Sequence, residues 1–369
     1  MTAKESKNTP HAIGKWPDQE TALEAISYAQ WIAFGPFVFQ ATVVMRDRGL
    51  LDAVADAGDE GIGVSALSEA TGVSPYGVKV LLDFGSSIKL VWRKNDRYVL
   101  TKTGHFILND PMTRVNMDFT RDVCYEPLAY LDESIRDEKP QGLHLFGNWK
   151  HIYEGLSSLP EQAATSWFNF DHYYSDRVFD EFLPIVFETP VREILDIGGN
   201  TGRWALKCFT HAPDVQVTIM DLPGQLAVAR KNIEQAGFIE RFTEFPADVL
   251  DSTQVFYQGA DVIWMSQFLD CFSESDILGI LKRAVAVMRD DSVLYIVELF
   301  WDRQKFDAAS FSLNAISLYF TCLANGKSRM YHSDDMLKLI KSAGLVIDRD
   351  VDNVGAGHTV LRCKKPDTI

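Results

Sequence analysis

Asp196 stands two residues ahead of a run of small residues, Gly198-Gly199-Asn200-Thr201-Gly202, where an apolar β-like stretch (193–197) gives way to a helical pattern (203–209). A strand that breaks at glycines into a helix offers backbone N–H groups and bare space to a ligand. A phosphate loop requires G-x-x-x-x-G-K-S/T, which is absent. A dinucleotide fingerprint requires G-x-G-x-x-G, and Asn200 occupies the place of its second glycine. A carboxylate at position 196 would repel a pyrophosphate, whereas it suits a ligand that carries an ammonium group. Asp221 closes the next apolar run, VQVTIMD, 23 residues after Gly198, where an acid can accept both ribose hydroxyls. Asp248-Val249 closes a third run, FTEFPADVL, where a carboxylate can receive an adenine amino group and an apolar neighbour can face the ring. Taken singly, each acid reads as a strand-end cap or a solvated charge. Three in order, at three successive strand ends beside a glycine turn, describe a site for a cationic nucleoside without phosphates, and S-adenosylmethionine is such a ligand.

The elements that must position these residues lie from Val191 onward. Apolar runs at REILDIGG, VQVTIMDLP, RFTEFPADVL, ADVIWMSQF, SVLYIVELFW and GHTVLRCKK are separated by helical patterns such as GQLAVARKNIEQAG and SDILGILKRAVAVM. Strand–helix alternation with apolar strands predicts an α/β fold with a parallel, doubly wound sheet over 186–369. Residues 111–185 are aromatic-rich and mostly helical, the expected character of a linker that covers a small-molecule pocket, although any one aromatic there serves packing equally well.

The N-terminal part has a different pattern. Residues 64–91 read as two short helices about Gly72-Val73-Ser74, and 90–101 as a hairpin about Lys94-Asn95-Asp96. Helix, turn, helix, hairpin is the order of a winged helix, which serves DNA binding or acts as a dimer or lid scaffold. Within residues 61–100 five basic side chains face three acidic ones, and the whole chain carries a net charge of −15, so a nucleic-acid partner is not expected. The apolar stretch 29–45 is short for a membrane span and is broken by Gly35-Pro36 and Gln40, which predicts a buried or dimer-forming helix pair instead. Residues 1–20 are polar without a signal-peptide core and are expected to form a loose tail. At 369 residues with 46% hydrophobic and 24% charged content, the chain reads as a folded, soluble protein of two domains. Cys124, Cys208, Cys271, Cys322 and Cys363 are scattered without a C-x-x-C pair, the pattern of reduced thiols in a cytoplasmic protein with neither disulfide frame nor metal site.

Over roughly residues 20–365 the chain resembles the S-adenosylmethionine-dependent small-molecule O-methyltransferases of the plant caffeate and bacterial polyketide-tailoring type. LDIGGNTG matches that family's glycine-rich first motif, IMDLPGQLAVAR the second and FPADVLD the third. The resemblance implies a winged-helix dimerisation domain (21–110), a helical linker over the pocket (111–185), a Rossmann-like catalytic domain (186–369), and a homodimer acting on a small molecule. It further implies that Asp196, Gly198, Gly199, Gly202, Asp221, Leu222, Asp248 and Val249 hold the cofactor. In the family a histidine after the fourth strand is the base, in a pattern like L-H-D-W-S-D-E. Here FLDCFSESD stands in that place: Leu269 matches the leucine, and Asp270 occupies the histidine position. Cys271 replaces the aspartate, and Phe272, in the tryptophan position, is placed to stack on adenine. The lysine that precedes the histidine becomes Ser266, beside the cofactor. Of two acidic partners of the base, one is retained as Glu298 and the other is replaced by Ser328. Phe168, Phe170, His172, Phe320 and Asn325 fall in segments that line the acceptor pocket, and His332 precedes a helix near them.

Methyl transfer from a sulfonium needs in-line alignment and removal of the acceptor's proton. An aspartate, with an ordinary pKa of about 3.9, is a weak base for a phenol at about 10 unless burial raises it. Asp270 therefore reads as a base or substrate-orienting carboxylate, with Glu298 raising it further by like-charge repulsion, or as a residue at the start of the next helix. The leading expectation is methylation, on oxygen, of a small aromatic hydroxylated molecule. The alternatives are a family member whose methyl transfer is lost or replaced, and a cofactor-binding regulatory dimer.

Overall fold

The computed structural model describes residues 20–366, so the expected N-terminal tail lies outside the described residues apart from Glu20. The described chain divides into two compact units after Arg121.

The smaller unit is mostly helical. Its first helix, Ala22–Ala33, is started by a reciprocal cap: the Thr21 hydroxyl accepts from Glu24 N–H and the Glu24 carboxylate accepts from Thr21 N–H. Pro36 opens the next helix, Gly35–Asp47, where its missing N–H costs nothing. Helices Val64–Thr71 and Pro75–Ser87 flank the turn at Gly72, and β1 (Val91–Lys94) pairs antiparallel with β2 (Arg97–Leu100) through Asn95 and Asp96, both with positive φ. The expected order of helix, turn, helix and hairpin is present. A core of Met45, Leu50, Leu51, Val54, Leu67, Val78, Leu82 and Tyr98 holds it together. Helix Pro111–Phe119 belongs to this unit and is tied to it by Arg46, which reaches Asp118 at 2.6 Å.

The stretch 29–45 does form two helices, but burial does not explain its apolarity within one chain. No residue of Ala22–Ala33 is buried; Leu23 is 78% and Phe37 64% exposed, and Trp31, Ile32 and Phe34 are exposed too. Only Thr42, Val43, Met45 and Arg46, at the end of the second helix, reach the core.

The larger unit is α/β. Its sheet contains β3 (Glu193–Ile197), β4 (Gln216–Asp221), β5 (Phe242–Pro246), β6 (Val262–Ser266), β7 (Val293–Glu298), β8 (Val346–Val354) and β9 (His358–Lys364) in the order β5-β4-β3-β6-β7-β9-β8. The first five strands run parallel; β9 is antiparallel to β7 and to β8. Alternate residues feed two apolar layers: Leu195, Ile197, Ile263 and Met265 face one, and Ile194, Val217, Ile219 and Trp264 the other. Two features differ from the sequence reading. The strand β8 was not expected, because its charged residues alternate as VIDRDVDNV along an edge, where such residues guard against unwanted pairing. The third strand of the expected site ends at Pro246, so Asp248 and Val249 lie in the loop beyond it. The strand order reverses between β3 and β6, and the crevice at the carboxyl ends of those strands is the place where such sheets bind ligands.

Candidate active site

The turn after β3 is shaped by backbone conformation and close approach. Gly198 and Gly202 both have φ of 78°, and Asn200, a residue type that tolerates left-handed backbone, has φ of 49°. A Cβ on Gly198 would lie 2.2 Å from the Phe268 ring, and one on Gly199 would lie 2.5 Å from Asp196 Oδ2. The turn thus touches the segment after β6 on one side and covers Asp196 on the other. Gly202 begins helix Arg203–His211, which has no side-chain cap at its N-terminus.

Asp196 is 2% exposed, and its Oδ2 has no hydrogen-bond partner among the described residues. Burial, with a smaller push from Asp221, raises its carboxyl to about 8. Asp221 ends β4, as the sequence predicts. Its Oδ2 accepts from Asn200 N–H at 2.8 Å and its Oδ1 from Leu222 N–H at 2.7 Å, which ties the second strand end to the glycine turn. Burial pushes this carboxyl up and those two bonds pull it back. Each oxygen keeps a lone pair for a hydroxyl donor. Asp248 is exposed and accepts from Leu250 N–H at 2.9 Å, while Val249 is buried.

Several buried polar atoms near these strand ends lack partners among the described residues: Asn200 Oδ1, Ser266 Oγ, Gln267 Nε2, His172 Nε2 and Glu298 Oε2. Buried donors and acceptors left unmade are costly, and a concentration of them marks where a polar ligand is accommodated. A glycine cradle, a buried unpartnered carboxyl and a strand-end carboxylate with spare acceptor capacity fit a cationic nucleoside.

Asp270 lies in the short turn Leu269–Cys271 directly after β6 and is 6% exposed. Burial raises it to about 6, opposed by the Cys271 thiol, which donates to Oδ1 at 3.5 Å. It is not the cap of the following helix: Ser273 caps Glu274–Val287, its hydroxyl accepting from Asp276 N–H at 3.3 Å. Glu298, the last residue of β7 and 1% exposed, accepts through Oε1 from Phe268 N–H at 3.1 Å and Leu269 N–H at 2.8 Å. It clamps the backbone of the turn that carries Asp270. Burial, then the like charge of Asp270, holds Glu298 well above the usual carboxylate range.

The remaining expected residues divide by what they touch. Phe168, Asp171 and His172 share one face of helix Glu161–Ser175, with Phe168 and His172 rings 5.9 Å apart. Phe170 falls on another face, beside Tyr174. Phe272 packs edge-on to Phe268 at 4.9 Å, and Phe320 is buried against Tyr319. Asn325 is engaged with backbone: it donates to Cys271 O and accepts from Lys327 and Ser328 N–H. His332 caps helix Ser333–Ser342 by accepting from Asp334 N–H at 3.1 Å. Ser328 is buried, and its hydroxyl has no partner among the described residues. Two groups near Asp270 escaped the sequence reading. The Tyr153 hydroxyl is buried and acted on by Cys271 and Asp270, and Asp171 is acted on by Asp270. The signal for Asp171 was present: a lone acid inside the aromatic run FNFDHYY.

Comparison with known proteins agrees with this geometry. Residues 128–346 match the O-methyltransferase domain family and residues 27–98 the Dimerisation2-like domain. Among curated relatives, an L-tyrosine C(3)-methyltransferase of Streptomyces lavendulae is 21% identical over 69% of each chain. A 3-amino-4-hydroxybenzoate 4-O-methyltransferase of Streptomyces cremeus is 24% identical over 84% of this chain and 82% of its own. Among solved structures, the S-adenosylmethionine-dependent methyltransferase SibL in its apo form shares the fold with a TM-score of 0.71 at 22% identity, covering 92% of this chain and 99% of that one. With its family matched over more than half its length and its glycine cradle at the sheet's switch point, the chain belongs to the O-methyltransferase domain family and is an S-adenosylmethionine-dependent methyltransferase.

Proposed function

We propose that this enzyme methylates a hydroxyl of a small aromatic acceptor, with Asp270 receiving the acceptor's proton where relatives use histidine. The observation that carries this reading is the position of Asp270: buried, one turn beyond β6, on a segment whose Phe268 ring rests against Gly198 of the cofactor turn. In this reading Gly198, Gly199 and Gly202 form the cradle, Asp196 faces the ammonium group, and Asp221 with Leu222 takes the ribose. Asp248 and Val249 flank the adenine, with Ser266 and Phe272 beside them. S-adenosylmethionine, when bound, supplies a methyl group activated by its sulfonium. Glu298 is a positioning residue, because its bonds run to the backbone of 268 and 269.

Asp270 at about 6 leaves a gap of about four units to an ordinary phenol, a proton transfer uphill by about 5 kcal/mol. Acceptors whose hydroxyl is acidified by electron-withdrawing groups narrow that gap and are the expected substrates. Transfer to an aromatic carbon is a second reading, favoured by the lost histidine and by the carbon-methylating relative from Streptomyces lavendulae. Incubation with S-adenosylmethionine and a panel of phenols, with S-adenosylhomocysteine and the methylated position read out together, separates the two. Asp270→Asn should lower turnover at least a hundredfold with cofactor affinity unchanged; unchanged turnover discards its role.

The exposed apolar faces of helices Ala22–Ala33 and Gly35–Asp47, within the Dimerisation2-like region, support pairing with a second copy. The free state of all five cysteines suits a reducing cytoplasm.

A further inference from the structure

Asp171 has no assigned part in the site, yet its surroundings are unusual. It projects from helix Glu161–Ser175 and accepts from Asn200 Nδ2 of the cofactor turn at 3.3 Å. Burial, then the like charges of Asp176 and Asp270, raises its carboxyl to about 7. Asp171 is thus bonded to the cofactor turn and lies within electrostatic reach of the proposed base. A third acid, Glu298, adjoins Asp270, its Oε2 buried and without a partner among the described residues, and the buried Tyr153 hydroxyl lies beside Cys271.

Cations that could balance these acids are engaged or neutral. Arg203 lies 3.8 Å from Asp176, and the Arg177 guanidinium sits 4.2 Å over the Tyr173 ring. His172 is pushed toward its neutral form by burial. Nor do the acids make a metal centre, since no three of His, Cys, Asp or Glu are suitably placed among the described residues. Acids packed together away from water gain from an entering positive charge, and the ionised ones repel an incoming carboxylate.

We propose that the acceptor is an amine-bearing aromatic that enters as a cation, and that Asp171, bonded to Asn200 of the cofactor turn, holds its ammonium group. This rests on the methyltransferase reading above and adds the charge of the acceptor to it.

The test uses three phenols of similar size and different charge: tyramine, 4-ethylphenol and 3-(4-hydroxyphenyl)propionate. Each is titrated calorimetrically into the full chain saturated with S-adenosylhomocysteine. Tyramine should bind about tenfold or more tighter than 4-ethylphenol, the order of a charge-assisted hydrogen bond, with the propionate weakest. Asp171→Asn should bring tyramine and 4-ethylphenol to near parity, and Asp171→Glu should keep the preference. The wild-type ranking stands without any variant. Propionate binding as tightly as tyramine, no tyramine binding, or an undiminished preference in Asp171→Asn overturns the proposal. Binding of S-adenosylhomocysteine, measured first on the same sample, reports separately on the reading beneath it.

Discussion

Proton release on cofactor binding is the sharpest consequence of the buried Asp196. Its carboxyl, raised to about 8, is protonated at neutral pH in the free protein, and its Oδ2 has no partner among the described residues. A bound ammonium group favours the carboxylate, so the proton must leave. At pH 7 a group with pKa 8 is nine-tenths protonated, and binding should release about 0.9 proton. Affinity should rise about ninefold between pH 6 and pH 7, a change of about 1.3 kcal/mol, as the ionised fraction climbs. Above pH 8 the gain ends, because the ligand's own α-amino group, at about 8, loses its charge. Calorimetric titration of S-adenosylhomocysteine in two buffers of different ionisation enthalpy measures the released proton directly. Stability has the opposite slope. Between pH 3.8 and about 8 the native carboxyl keeps a proton that the unfolded chain has lost, so stability falls as pH rises through that window. Asp196→Asn should flatten both dependences, stabilising the free protein at pH 8 while weakening cofactor binding. A pH-independent affinity with no proton released would refute the reasoning.

Three further outcomes follow from the same structure. Gly198→Ala places a Cβ 2.2 Å from Phe268 at φ 78°, so calorimetry should show S-adenosylhomocysteine binding at least tenfold weaker, with about 1–2 kcal/mol of backbone strain lowering the melting temperature; a normal affinity would contradict the cradle. His358 is fully buried, both ring nitrogens lack partners among the described residues, and burial lowers it from 6.5 to about 4. The unfolded chain takes up a proton first as pH falls through that window, so up to about 3 kcal/mol of stability is lost between pH 6.5 and 4. His358→Leu should shift the acid-unfolding midpoint downward, as followed by circular dichroism. Phe37→Asp, on the open face of the second helix, should turn a sedimenting dimer into a monomer with an unchanged melting profile of the monomeric unit.

Much of the site was legible because its signals are local. The glycine turn follows from the residues a left-handed backbone admits, and Asp221 from the end of an apolar run followed by Leu222-Pro223. The five parallel strands were legible because buried strands read as continuous apolar runs. The register of FLDCFSESD placed Asp270 beside Glu298, and the fold brings both to adjacent strand ends. β8 was not legible, since an edge strand needs no apolar run and its alternating charges resemble a loop.

What tertiary structure alone decided is partnership. Whether a carboxylate is free or engaged depends on groups distant in the chain: Asn200 on Asp221, Phe268 and Leu269 on Glu298. Asn325 joins Cys271 O to the backbone of 327 and 328, and Asp171 gains its place only because a helix from before the sheet reaches Asn200. Residue type and local spacing determine which groups can carry charge and where the chain must turn. Burial and long-range hydrogen bonding determine which of those groups keep a proton, and that is a property of the folded packing.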